Sequence, residues 1–162
     1  RALSRFVAKY RFGGPPFLRS TDLIAELRKE ARNAEEQQLI TDLFERITVY
    51  DLKVKDATTS KQGNEWVTRL TLDAGKYYAA GKGEEKAAPL KENIEVGLFT
   101  ARPGLGEFSR ANVIAMKREP IRGGSQVIVL RSKAKPAFAG IDPYNFYVDR
   151  NSEDNVKDVT AS

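Results

Sequence analysis

The spacing of apolar side chains changes near residue 47, and the change divides the chain. Before it, Leu3, Phe6, Val7 and Tyr10 fall at i, i+3, i+4 and i+7, one stripe of a helix. This predicts a helix over residues 2–12. Gly13-Gly14-Pro15-Pro16 is expected to stop it, because glycine and proline both break the hydrogen-bonded continuation. A second helix is predicted after Ser20 or Thr21, whose hydroxyl would cap free N–H groups, with Asp22 favoured in the first turn by the helix dipole. Its buried stripe would be Leu23, Ile24 and Leu27. A third begins at Asn33, with Glu36 as its capping-box partner and Leu39, Ile40, Leu43, Phe44 and Ile47 as its apolar side.

Beyond this point the period becomes two. Residues 47–59 are rich in Val, Thr and Tyr, as strands are. Lys61-Gln62-Gly63-Asn64 is a turn signal, and Trp66, Thr68, Leu70, Leu72 and Ala74 then alternate with Val67, Arg69, Thr71 and Asp73. That pattern is a hairpin. A second turn falls around Gly81-Lys82-Gly83-Glu84 after Tyr77-Tyr78, and a strand with Ile94, Val96 and Leu98 on one face follows Pro89. Residues 101–109 read as an exposed loop. Further strands are expected at 112–118 and 126–132, separated by Pro120 and Gly123-Gly124, and at 145–149, with a polar, frayed tail after Asn155. Six or seven short strands with turns between them predict a mainly β protein, an antiparallel β-sandwich preceded by short α-helices, with a closed barrel as the alternative. No internal repeat, heptad pattern or low-complexity segment is present.

Composition narrows the chemistry. A hydrophobic fraction of 41% over 162 residues is enough for a packed core, so extended disorder is not expected. No apolar run approaches the roughly 18 residues of a membrane helix, and no signal-peptide pattern is present. The piece itself is therefore expected to be soluble. It opens at Arg1 rather than Met, which reads as part of a longer protein. Histidine and cysteine are both absent. Zinc sites of the usual kinds, Ser-His-Asp and Cys-His nucleophilic systems, and disulfides are thereby excluded. Chemistry by carboxylates, Lys, Tyr or Ser remains, as does binding without chemistry.

A net charge of +5 raises nucleic acid or an anionic surface as a partner. The densest basic stretch holds Lys117, Arg118, Arg122, Arg131, Lys133 and Lys135. It lies on predicted strands that send alternate residues to opposite faces and lacks the stacking aromatics of a nucleic-acid sheet. A solvated basic face is the expectation, with no nucleic acid bound.

Four other features invite a functional reading. Gly104-Leu105-Gly106 lacks the rest of a phosphate-loop fingerprint and the strand-to-helix context that motif requires. Asp149, Asn151 and Glu153 alternate like the early ligands of a calcium loop. Asp154 stands where the loop glycine belongs and Thr160 where the bidentate acid belongs, so a turn closing the last strand is expected. The pairs Glu35-Glu36, Glu84-Glu85 and Glu92 with Glu95 have no context that predicts a buried, shifted carboxyl. Trp66 and Tyr77-Tyr78 would line a ligand groove or, more plainly, supply core and cross-strand contacts. No catalytic, cofactor-binding or metal-ligating residue is assigned.

The phrases LSRFVAKYRFGGPPF, STDLIAELR, QQLITDLFERITVYD and above all AGIDPYNFYVDRNSEDN resemble the C-terminal end of bacterial thermolysin-like zinc aminopeptidases fused to ABC-type transporter permeases. The resemblance covers nearly the whole chain. In that family an HExxH helix and a downstream Glu bind zinc, and nothing here matches that motif. It implies that residues 1–46 are a helical connector from the end of the peptidase's helical region. It implies also that 47–155 form an immunoglobulin-like sandwich, with 156–162 as a polar tail. The implied role is a non-catalytic accessory domain of a membrane-anchored zinc-aminopeptidase-like permease, on an unspecified side of the membrane. Zinc would be expected only in the catalytic domain of the parent. The implied partners are the parent's catalytic and membrane domains. Apolar stripes left exposed on the helices would suit a homodimer. A peptide- or protein-binding sandwich unrelated to proteolysis is the alternative.

Overall fold

A computed structural model describes residues 1–12 and 17–162. The proposed stop at Gly13-Gly14-Pro15-Pro16 lies outside the described residues. The chain divides into two compact units, Arg1–Ile47 and Thr48–Ser162.

The first unit holds α1 (Ala2–Tyr10), α2 (Ser20–Arg28) and α3 (Ala34–Phe44). Helix α1 ends two residues before the predicted limit, with Phe12 in left-handed backbone at φ 58°. At α2 the expected hydroxyl cap is replaced. The Asp22 carboxylate accepts from the Arg19 N–H at 2.9 Å, because a charged oxygen is the stronger acceptor at a helix start. At α3, Asn33 Oδ1 accepts from the Glu36 N–H at 2.8 Å, as a cap residue should. The Glu36 carboxylate does not close the box on Asn33. It accepts from the Arg32 N–H at 2.7 Å and pairs with the Arg32 guanidinium.

The apolar stripes of these helices are not a core. Leu23, Ile24, Leu27, Leu39 and Ile40 are half-buried, while Leu43, Phe44 and Ile47 are exposed. Among the described residues of this unit, those buried are Ala2 and two acids, Glu26 and Asp42. Glu26 is held among Arg5, Lys9 and Lys29, and these cations lower its pKa, with the Lys29 hydrogen bond as the largest cause.

The second unit is mainly β, with β1 (Ile47–Gln62), β2 (Glu65–Ala80), β3 (Glu84–Ala88), β4 (Lys91–Phe99), β5 (Val113–Arg122), β6 (Gly124–Ser132), β7 (Phe138–Ile141), β8 (Val156–Asp158) and β9 (Thr160–Ala161). Two sheets form. One runs β3-β2-β1-β9, with β6 also paired to β2; the other runs β5-β4-β7-β8. The pairings are antiparallel apart from the short parallel contact of β1 with β9. One core lies between the sheets: Leu52, Val54, Leu70 and Leu72 from the first, and Ile94, Val96, Leu98, Ile121 and Ile141 from the second. The two-sheet arrangement replaces the barrel alternative.

Several strand limits differ from expectation. The β1–β2 hairpin turns on Gly63, at φ 62°, and Asn64 as the alternation predicts. Pro120 does not end a strand. It lies inside β5 opposite Asn93, and β5 is an edge strand, where a missing N–H costs no ladder bond. β3 was not foreseen, because Glu-Glu-Lys-Ala-Ala carries no apolar alternation, yet it pairs with Lys76–Ala80. Residues 145–149 are not a regular strand and make one isolated parallel bridge, Tyr50 with Asp149. The strand in that region is β7. The frayed tail is also corrected: Asn155 and Val156 are buried, β8 pairs with β7, and β9 pairs with β1. Among the described residues no helix is long and apolar enough to cross a membrane.

Candidate functional site

The segment from Asp142 to Asn155 is the most elaborately built part of the β unit. Asp142 follows β7 at φ 42°, a left-handed conformation that Asp tolerates better than bulkier residues. Its N–H donates to the Glu95 carbonyl at 2.8 Å. Its carboxylate accepts from the N–H groups of Phe146 and Tyr147, each at 3.0 Å. Asn145, also left-handed at φ 53°, donates its N–H to the Asp142 carbonyl at 3.0 Å. This closed turn sends Tyr144 and Phe146 outward and Tyr147 inward, where its ring meets Tyr50 at 4.7 Å.

Asp149 then fastens the segment to β1. Its carboxylate accepts from the Leu52 N–H and the Asn151 N–H, both at 3.0 Å. With its amide assigned so that the nitrogen faces the neighbouring acceptors, the Asn155 side chain donates to the same carboxylate at 3.2 Å and to the Leu52 carbonyl. Backbone bonds from Tyr50 N–H to Val148 O and from Arg150 N–H to Tyr50 O, both 2.8 Å, complete the seam. Burial raises the pKa of Asp142 and of Asp149 despite their hydrogen bonds. Tyr147 is raised as well, by burial first and by nearby Glu92 second.

The outward side of the turn is aromatic. Phe99, fully buried, touches Phe108 at 5.8 Å; Phe108 touches Tyr144 at 6.3 Å; Tyr144 touches Phe146 at 6.1 Å. All three contacts are edge-to-face, the favoured geometry for ring quadrupoles. The ridge leads from the core to solvent, where Phe146 and Val148 are each 70% exposed. Rings held in place by a buried aspartate are preorganised for contact, because little side-chain freedom is left to lose on binding.

A second cluster sits where the two sheets meet. The Lys76 ammonium on β2, 3% exposed, pairs with Glu92 on β4. Glu92 also accepts from the Tyr50 hydroxyl at 3.4 Å and the Lys91 N–H at 2.7 Å. The pair clamps one sheet to the other. Sequence reasoning missed it, although a signal was present. Lys76 continues the even-numbered register of Leu70, Leu72 and Ala74, so its side chain was bound to point inward.

The other sequence candidates disperse. Gly104 and Gly106 take left-handed backbone in the β4–β5 loop, with open space around them and only a three-residue 3-10 turn following. Asp149 has both carboxylate oxygens engaged inside the fold, Asn151 donates to Asp154 at 3.1 Å, and Asp154 pairs with Lys53 at 3.0 Å. The segment is a turn, and among the described residues no group of three or more acids is placed to hold a metal ion. Glu36 pairs with Arg32, Glu85 with Arg150 and Glu92 with Lys76, while Glu35 is exposed. Trp66 lies under Lys135 and Tyr77 under Arg150. Tyr77 lies eleven positions beyond Trp66 on β2, about 35 Å of strand, so they line no common groove. Of the basic stretch, Lys117, Arg118 and Arg122 lie on β5 in one sheet, Arg131 lies on β6 in the other, and Lys133 and Lys135 follow the end of β6. No family model, curated protein or solved structure matches the chain.

Proposed function

We propose that the chain is a non-catalytic accessory module, a β-sandwich with a helical connector, that rests on the remainder of a larger membrane-anchored protein of the zinc-aminopeptidase-like permease type. The immunoglobulin-like description of the sandwich belongs to the same proposal, as does zinc held elsewhere in that parent. The observation that carries the reading is the exposure of large apolar side chains on the helices: Leu3 63%, Val7 50%, Leu43 55% and Phe44 51%. Helices this short gain most of their stability by burying an apolar face. A face left in solvent marks a surface that packs against more protein. The proposed identity of that protein rests on the resemblance of the helical segments, and above all of AGIDPYNFYVDRNSEDN, to the C-terminal end of that family.

The test is a comparison of two proteins: the 162-residue chain and a longer parent chain with and without the β unit. Zinc content and aminopeptidase activity are measured on each. The reading expects no zinc and no cleavage from the chain itself, and loss of folding or activity when the β unit is deleted from the parent. Peptide cleavage by the chain itself sinks it.

A second reading, a peptide- or protein-binding module, is favoured by the Phe108–Tyr144–Phe146 ridge. Replacement of Phe146 by Ser would then abolish capture of a partner while leaving the fold intact, because that ring is mostly in solvent already.

A further inference from the structure

A sheet edge left open is a template for another strand, and folded proteins protect such edges with charge, proline, brevity or a covering segment. Most edges here are protected. β3 is short and carries Glu84, Glu85 and Lys86. β8 has three residues, two of them charged. β5 contains Pro120 among Lys117, Arg118, Glu119 and Arg122. The free edge of β1 is sealed by the C-terminal segment. Asp149 and Asn155 cover Leu52, Lys157 Nζ donates to the Lys55 carbonyl, Thr160 Oγ1 donates to the Ala57 carbonyl, and Ser162 N–H donates to the Thr59 carbonyl.

β6 carries a single charge, Arg131 next to its last residue, and none of the other devices. It runs nine residues, about 30 Å, and pairs on one side only, with β2. Among the described residues no backbone hydrogen bond joins its outer edge to anything. From Gln126 to Leu130 it reads Gln-Val-Ile-Val-Leu, with no charge and no proline, and Val127 and Val129 are 47% and 46% exposed.

We propose that β6 is the edge through which two copies of this chain pair, antiparallel about a two-fold axis at Ile128. The occupant follows from the self-complementarity of the strand. In that register Val127 of each copy faces Val129 of the other, Gln126 faces Leu130, and Arg131 faces Ser125. Val127 meets Val129 and Ile128 meets its own counterpart across the axis, and no like charges oppose, which is what an isologous strand pair requires. Arg131 stays beside Glu65 of its own chain, 3.6 Å away. The paired edges join the two β6-containing sheets into one.

The experiment is sedimentation equilibrium on the 162-residue chain and two double variants, Val127→Glu with Val129→Glu, and Val127→Lys with Val129→Lys. Both positions are exposed, and far-UV circular dichroism checks that the variants fold. The wild type is expected to self-associate reversibly at concentrations of about 100 µM, the range of small transient interfaces. Each variant alone is expected to be monomeric, because like charges then face one another across the axis. An equal mixture of the two is expected to restore dimers, since Glu now faces Lys. A wild type that stays monomeric over this range overturns the proposal, whether or not the edge accepts a foreign strand. A dimer that survives both variants also overturns it and moves the interface elsewhere, to the exposed helical stripes for instance.

Discussion

Lys76 and Glu92 show how much a single buried side chain decides here. Removing a charge from water is costly, and only the partner's opposite charge and added hydrogen bonds offset that cost. Replacing Lys76 by Met, or Glu92 by Gln, leaves the other group buried without its counter-charge. Each single change is expected to cost about 3–5 kcal/mol in urea unfolding, while Lys76→Met combined with Glu92→Leu recovers most of the loss. Additive losses in the double variant would mean that the pair is not the unit of stability. Asp142 and Asp149 make a different prediction, in pH. Burial holds both carboxyls above their ordinary value, so the folded chain retains protons that the unfolded chain has already released. Stability from these groups is fully present below about pH 3.9, the unfolded aspartate value, and is lost as pH rises through the higher folded values. The variant Asp142→Asn with Asp149→Asn lacks that contribution. Its deficit relative to wild type should therefore widen as pH falls from neutral toward this window, read from urea midpoints. A deficit that narrows on acidification would show that the backbone hydrogen bonds outweigh burial.

At the scale of elements, legibility followed apolar periodicity. The β1–β2 hairpin and the inner face of β4 were written in alternation, and the Asn33 cap in its side-chain chemistry. β3, β7, β8 and β9 were not, for a common reason. They are short, and their pairing is decided by neighbours distant in the chain rather than by their own residues. The aspartate turn was legible only as an unusual string of residues, since nothing local reveals that Asp142 is buried or which N–H groups it accepts. The tail shows the consequence most directly. Its side chains are polar because they cap the carbonyls of β1, so polarity there signals docking rather than fraying. Ending the chain after Asn155 removes β8, β9 and three covers of the β1 edge. The shortened protein is expected to show faster amide exchange in β1 and a greater tendency to aggregate, read by hydrogen exchange and light scattering. Unchanged exchange at Thr58 and Thr59 would contradict the sealing role. Gly140→Ala probes the same docking from inside. An added Cβ would lie 2.9 Å from Val156 Cγ2 and 3.1 Å from the Asn155 carbonyl oxygen. A loss of about 1–3 kcal/mol is expected from this overpacking, and Val156→Ala in the same chain should relieve part of it.

The two units differ in what holds them together, and this sets the expected behaviour of the molecule. The core cluster of the β unit consists of residues between Tyr50 and Ile141, with Val159 packed against it. Every layer of that core comes from the β unit itself. Among the described residues of the helical unit the buried ones are Ala2, Glu26 and Asp42, which supply little apolar area, and the acid–base pairs around Glu26 join exposed partners of modest worth. Residues 48–162 produced alone are therefore expected to fold, with a strand-type circular dichroism spectrum and a single cooperative urea transition. A peptide of residues 1–47 is expected to hold much less helix than its three helices represent, because short helices without a buried face are marginal in water. If the β unit alone is unfolded, the core account is wrong and the helices contribute to it. If the peptide alone is fully helical, its ion pairs carry more than surface pairs usually do, and its exposed apolar residues lose their standing as evidence for a missing neighbour.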